Sequence, residues 1–177
     1  MSEHRVAVRY AKSILTLAQE QGVLDEVYQD MEAFEQLCDD NPKLIAVLRN
    51  PIVYSYKKLA ILKGLLEGKV NSLTIKFFEI IAKKNREEVL YAIAKEFEYQ
   101  YEQYKNIQRA TITTTFPLTD TLRQQVNQML TTETGKQIKL EEKIDAKLIG
   151  GFVLRFSDKQ VDTSIKGKLN QLRHELV

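Results

Sequence analysis

Apolar side chains return at three- and four-residue intervals from Glu3 to Lys105, and each run closes on a helix-ending signal. A first helix is predicted from about Glu3 to Gln21, stopped by Gly22. A second, from about Leu24 to Asp39, carries Leu24, Val27, Tyr28, Met31, Phe34, Leu37 and Cys38 on its inner side. Asn41-Pro42 forms a cap followed by proline at the first helical position, and Asn50-Pro51 closes that short third helix. Ser55 caps a fourth, with Leu59, Leu62, Leu65 and Leu66 inside and Gly68 at its end. Ser72 opens a fifth that Asn85 breaks, and a sixth, from about Arg86 to Lys105, buries Val89, Leu90, Ile93, Ala94, Phe97 and Tyr101. The expectation over residues 1–105 is a six-helix bundle.

Near Ile107 the period changes. The stretch to Phe116 is rich in β-branched residues and ends at Pro117. Thr119 then caps a helix running to about Thr134, with Leu122, Val126, Met129 and Leu130 on one face and Gly135 behind it. Further strands are predicted at Gln137–Ile144, Phe152–Phe156 and Gln160–Thr163, the last two as a hairpin around Ser157-Asp158-Lys159. Ser164 caps a final helix with Ile165, Leu169, Leu172 and Leu176 turned inward. Residues 106–177 are therefore expected to form a small α+β domain with a mostly antiparallel sheet.

Two helices carry more apolar surface than packing on one side requires. In the first, Val6, Tyr10, Ile14, Leu17 and four alanine or valine neighbours spread over roughly 200° of the helix, and the fifth, with Leu73, Phe77, Phe78, Ile80 and Ile81, is as broad. Such helices are either central in the bundle or form a groove for a partner's amphipathic helix.

Composition is that of a folded chain, 44% apolar and 28% charged, and a net charge of +2 gives no argument for nucleic acid. Positions 20–40 hold eight carboxylates and no Lys or Arg, a solvated acidic face or an attraction for a basic partner. No apolar run is long enough to span a membrane, and the N-terminus lacks the plan of a signal peptide, so a cytoplasmic chain is expected.

Chemistry is sparse. Gly64-Leu65-Leu66-Glu67-Gly68-Lys69-Val70 has one residue too few between its glycines for a phosphate loop, and Val where a hydroxyl belongs. His4 and His174 sit at the chain ends, Cys38 stands alone, and Glu141 and Glu142 point to opposite faces of a strand. No catalytic residue, metal or cofactor is expected. Lys166, Lys168 and Arg173 make the outer side of the last helix basic, suited to solvent or to an acidic partner.

Several separated stretches resemble the δ subunit family of F-type ATP synthases, related to the mitochondrial oligomycin-sensitivity-conferring protein. They are Arg9-Tyr10-Ala11-Lys12 with Leu17-Ala18 and Gly22; Asn41-Pro42 with Leu48, Asn50-Pro51 and Lys57; and Lys84-Asn85-Arg86. Thr134-Gly135-Lys136 and Ile144-Asp145 lead into the C-terminal signature, Ile149-Gly150-Gly151 … Val161-Asp162-Thr163-Ser164 … Gly167-Lys168-Leu169. The chain departs from the pattern at Ser157 and Thr163, where the family usually has Gly; a type I turn at Ser157 would leave the fold intact.

The resemblance implies a non-catalytic stator (peripheral stalk) subunit. It would link the catalytic α/β head to the membrane-anchored b subunits and resist rotation during proton-driven ATP synthesis, without binding nucleotide or nucleic acid. It also implies a peripheral place on the cytoplasmic face of the bacterial plasma (inner) membrane, reached only through partners. On that reading residues 1–105 bind α-subunit N-terminal helices through Val6, Tyr10, Ser13, Leu17, Leu73, Phe77 and Ile80. Residues 106–177 meet the C-terminal ends of the b subunits through Gly151, Lys166 and Leu169. The competing readings are a helix-binding adaptor of another complex and a small RNA-binding protein.

Overall fold

A computed structural model describes residues 3–66 and 68–175. The chain is mostly helical, with a small four-stranded mixed sheet toward the C-terminus, and it divides into two compact units at Tyr101/Glu102.

The first unit contains α1 (Glu3–Glu20), α2 (Leu24–Asp40), α3 (Pro42–Arg49), α4 (Ser55–Leu66), α5 (Ser72–Lys83) and most of α6 (Leu90–Lys105). Its core is aromatic and aliphatic: Phe34, Phe78, Phe97, Ile14, Met31, Leu48, Leu62, Ile81 and Ile93 are fully buried, and the Phe34 and Phe78 rings lie 5.0 Å apart. Gly22 and Asn85 take left-handed conformations at the ends of α1 and α5.

Polar side chains depart from the predicted caps. Asn41 makes no cap bond to α3; its side-chain amide donates to the Leu37 carbonyl (3.0 Å) and closes α2 instead. Asn71, not Ser72, caps α5, accepting from the Leu73 N–H at 2.9 Å. Ser55 donates to Asn85 Oδ1 (2.7 Å), so its hydroxyl ties the start of α4 to the turn after α5. Leu65 is exposed on α4, whereas Lys58 is buried with its ammonium on the Leu48 carbonyl (2.7 Å). The sixth helix opens with a 3₁₀ turn at Glu87–Val89, which the three- and four-residue spacing does not distinguish from α-helix.

The acidic run is not simply a solvated face. Asp30 is buried and accepts from the Asn71 N–H (2.8 Å) and the Thr74 hydroxyl (2.6 Å), tying α2 to the start of α5. Tyr101 donates to Asp25 at 2.8 Å, and Tyr91 donates to Asp39.

The second unit carries β1 (Ile107–Thr114), α7 (Asp120–Thr134), β2 (Gln137–Ile144), β3 (Phe152–Phe156), β4 (Lys159–Asp162) and α8 (Ile165–Glu175). The strand order is β2-β1-β3-β4. β1 and β2 are parallel along eight residues, joined through α7; β1 with β3 and β3 with β4 are antiparallel. The sheet is thus mixed, and its longest ladder is the parallel one. Thr119 and Gly135 cap α7 at its two ends. The sheet core is Ala110, Ile112, Leu130, Leu154 and Phe156, with Val126, Ile138, Leu140 and Phe152 packed against it.

A 3₁₀ turn at Ala146–Leu148 leads into Ile149, which has a φ of 68°. Ser157 has a φ of 53° as the first residue of the two-residue β3–β4 turn, so the turn is not type I. A positive φ at that place matches the right-handed twist of the hairpin, and it is where glycine sits without strain. Finally, Ile165, Leu169 and Leu172 of α8 are about half exposed rather than inward, while Leu176 lies outside the described residues. Leu122 and Met129 of α7 are likewise exposed.

Candidate functional site

On α1 the small residues turn inward: Ala7, Ala11, Ile14 and Ala18 are buried, which lets neighbouring helices approach closely. The larger ones lie at the edge. Val6 and Tyr10 are half-buried, and Ser13 and Leu17 are exposed. On α5, Leu73 and Phe77 belong to the core, and Ile80 is 51% exposed at its margin. The two helices meet at the Tyr10 and Phe77 rings, edge to face with centroids 6.4 Å apart. The Arg86 guanidinium lies 6.0 Å from the Tyr10 ring centre, and its Nη1 is 3.4 Å from the Tyr10 hydroxyl.

Neither helix is walled in on all sides. A shallow cavity of about 550 Å³ runs along α1, lined by Arg9, Lys12, Ser13, Thr16, Leu17 and Glu20. The Ser13 and Thr16 hydroxyls in it are turned back onto the carbonyls of Arg9 (2.9 Å) and Lys12 (3.0 Å). The apolar edge of Leu17 therefore stands beside polar groups whose hydrogen bonds are already made.

The second candidate surface lies at the junction of β3, β4 and α8. Gly151 has a φ of 76°, and a Cβ there would come within 2.5 Å of the Thr163 carbonyl oxygen. This approach lets Thr163 zip onto Phe152: its N–H and hydroxyl each donate to the Phe152 carbonyl at 3.0 Å. Ser164 is buried and accepts from the Gly167 N–H (3.0 Å), capping α8. Along α8 beyond this cap, Lys166 and Leu169 are exposed together with Ile165 and Leu172. Gly151 itself works as a spacer that makes the junction possible.

Among the described residues no group of three His, Cys, Asp or Glu side chains could hold a metal, and no helix is long and apolar enough to cross a membrane. Burial pushes the Cys38 thiol up to about 11, with Asp39 and Glu35 adding to the shift, so it is not a thiolate at neutral pH. His4 is exposed, 4.0 Å from Glu96, and the side chain of His174 lies outside the described residues. Glu141 and Glu142 are divided between two partners, Arg109 and Arg123. Gly64 lies within α4 and Gly68 just beyond it; Glu67 is outside the described residues.

One feature of the helical unit escapes sequence reading. Glu35 of α2 lies against Glu98 of α6, and its carboxyl is pushed up to about 7 by burial first, then by its hydrogen bond with Glu98 and that group's charge. Lys95, 3.7 Å away, offsets part of this. The 63-residue separation of the two carboxyls leaves no local signal in the sequence.

Residues 6–176 match the sequence family described as ATP synthase delta (OSCP) subunit. The chain is 43% identical over 175 residues to ATP synthase subunit delta of Cytophaga hutchinsonii, covering 99% of this chain and 96% of that one. The corresponding protein of Amoebophilus asiaticus is 37% identical, with 98% and 95% covered. In fold, the chain is similar to one from the Toxoplasma gondii mitochondrial ATP synthase hexamer, with a TM-score of 0.70, 21% identity and 96% of each chain covered.

Proposed function

The chain belongs to the ATP synthase delta (OSCP) subunit family, and from that premise we propose how its two units divide the work of the peripheral stalk. The protein is a structural subunit of an F-type ATP synthase, part of the stator and not a catalytic component. Its helical unit, read as a six-helix bundle over residues 1–105, holds the N-terminal helix of an α subunit at the α1–α5 face. The unit over residues 106–177 receives the C-terminal ends of the b subunits at the hairpin–α8 junction. The protein is thereby held at the cytoplasmic face of the bacterial plasma membrane, where it opposes rotation of the catalytic head during proton-driven synthesis.

The observation that carries the α assignment is the pair of apolar edges at Leu17 and Ile80, left open on helices joined through Tyr10 and Phe77. A partner helix laid between them would cover apolar surface worth about 25 cal/mol per Å² removed from water. Ile80→Asp leaves the core untouched and puts a charge at the edge of this seat. Calorimetric titration with an α N-terminal peptide should show at least tenfold weaker binding while the circular dichroism stays unchanged. Equal affinity would move the docking site elsewhere. For the other end, Leu169→Asp should lose co-purification with b and keep α; retained b would reject α8 as the contact.

A further inference from the structure

The apolar edges of the α1–α5 face are bordered by cations on both sides. At about 100° per residue, Arg9 follows Ser13 and Leu17 around α1, and Arg5 and Lys12 come after it on the outer side, away from the buried alanines. On α5, Lys76 and Lys83 stand in the same relation to Ile80, on the solvent side of it. All five are exposed, and none forms an ion pair among the described residues. Nearby carboxylates are mostly engaged. Glu79 pairs with Lys63 at 2.5 Å, and its carboxyl is held below the usual range by Lys63 first and then by the charges of Lys83 and Lys76; Glu3 pairs with Arg49 at 3.5 Å, and Glu20 joins the cations along the α1 cavity. Outward from the Tyr10–Phe77 contact, each helix therefore presents an apolar wall and then a positive rim.

Resting on the docking reading above, we infer that this face selects a helix whose apolar stripe is flanked on both sides by carboxylates. Leu17 and Ile80 meet the stripe, while Arg9 and Lys12 on one rim and Lys76 and Lys83 on the other meet the flanks. A helix with basic flanks would set like charges against both rims and be rejected, so the cations decide which amphipathic helix is accepted. They also favour one rotational setting of the bound helix about its own axis, because only that setting brings both acidic flanks to the rims together.

The test uses the full chain and two peptides: the α-subunit N-terminal segment from the same organism, and the same segment with every Asp and Glu changed to Asn and Gln. At about 50 mM salt the acidic peptide should bind at least about tenfold tighter, and at about 500 mM the difference should shrink to about twofold. Arg9→Glu with Lys76→Glu should remove the preference without altering the thermal transition. A third peptide with Lys at the acidic positions should bind that double variant better than it binds the natural chain. Equal binding of the first two peptides at low salt overturns the charge selection and leaves the docking site standing. Binding of neither peptide overturns both.

Discussion

The two units treat apolar surface in opposite ways. Among the described residues, twenty-four apolar side chains are buried and eight large ones exposed in the helical unit, whereas in the second unit seven are buried and ten large ones exposed. The first closes a core of its own and leaves a narrow apolar edge over. The second hides fewer, and its exposed Ile149 and Ile165 stand at the junction where the Ile165 N–H donates to the Gly150 carbonyl, with Leu169 and Leu172 exposed further along α8. Exposed apolar groups collected in one place mark a binding surface. On the division of work proposed above, the first unit would keep its shape under load and the second would be completed by what it grips.

The contrast can be broken at several points. Phe97→Ala empties a fully buried site and should cost about 3–5 kcal/mol in denaturant unfolding; a loss below 1 kcal/mol would deny the helical unit a tight core. In the second unit, Gly151→Ala pushes a methyl onto the Thr163 carbonyl from a left-handed backbone. It should cost about 2 kcal/mol or more and speed amide exchange at Phe152 and Thr163; unchanged exchange would mean the junction is loose.

Glu35 gives the helical unit a pH dependence opposite in sign to that of the second unit, where Arg123 lowers the Glu142 carboxyl and Ser164 lowers that of Asp162. The Glu35 carboxyl titrates near 7 folded against an ordinary 4.5, so the folded state binds the extra proton. The stabilising contribution is complete below pH 4.5, declines as pH rises, and is gone above about 7. Glu35→Gln should flatten the melting temperature of the helical signal across that window, and parallel curves for the two proteins would refute the buried acid pair. Smallest of all, Leu169→Ser should change unfolding free energy by no more than about 0.5 kcal/mol, because the side chain already faces water; a larger loss would place α8 in the core after all.

Helices were the legible part of this chain because their signals are local: apolar spacing, Gly22 and Asn85 as stops, Thr119 and Ser164 as caps. What failed was set by packing and competing partners rather than by residue type. The parallel pairing of β1 with β2 depends on a crossover through α7, which strand composition does not encode. Asn41 caps backward because a nearby carbonyl was open, and Ser157 turns left-handed because the hairpin's twist requires it. The inward placing of Leu169 and Leu172 came from helix periodicity, which finds an apolar face but not the surface that covers it. The α1 and α5 edges were visible as an excess of apolar arc, while the division into buried alanines and an open Leu17 needed the packed neighbours.

The sheet leaves two strands unpaired on one side, β2 and β4, and both are guarded. β4 is only four residues long and begins and ends on a charge, Lys159 and Asp162, while β2 carries Lys139, Glu141, Glu142 and Lys143. Charged, short borders discourage strand-by-strand addition of further copies. A freshly made chain with a sticky, half-finished surface can thus wait in solution without growing into fibres, and its grease is reserved for the complex it will enter.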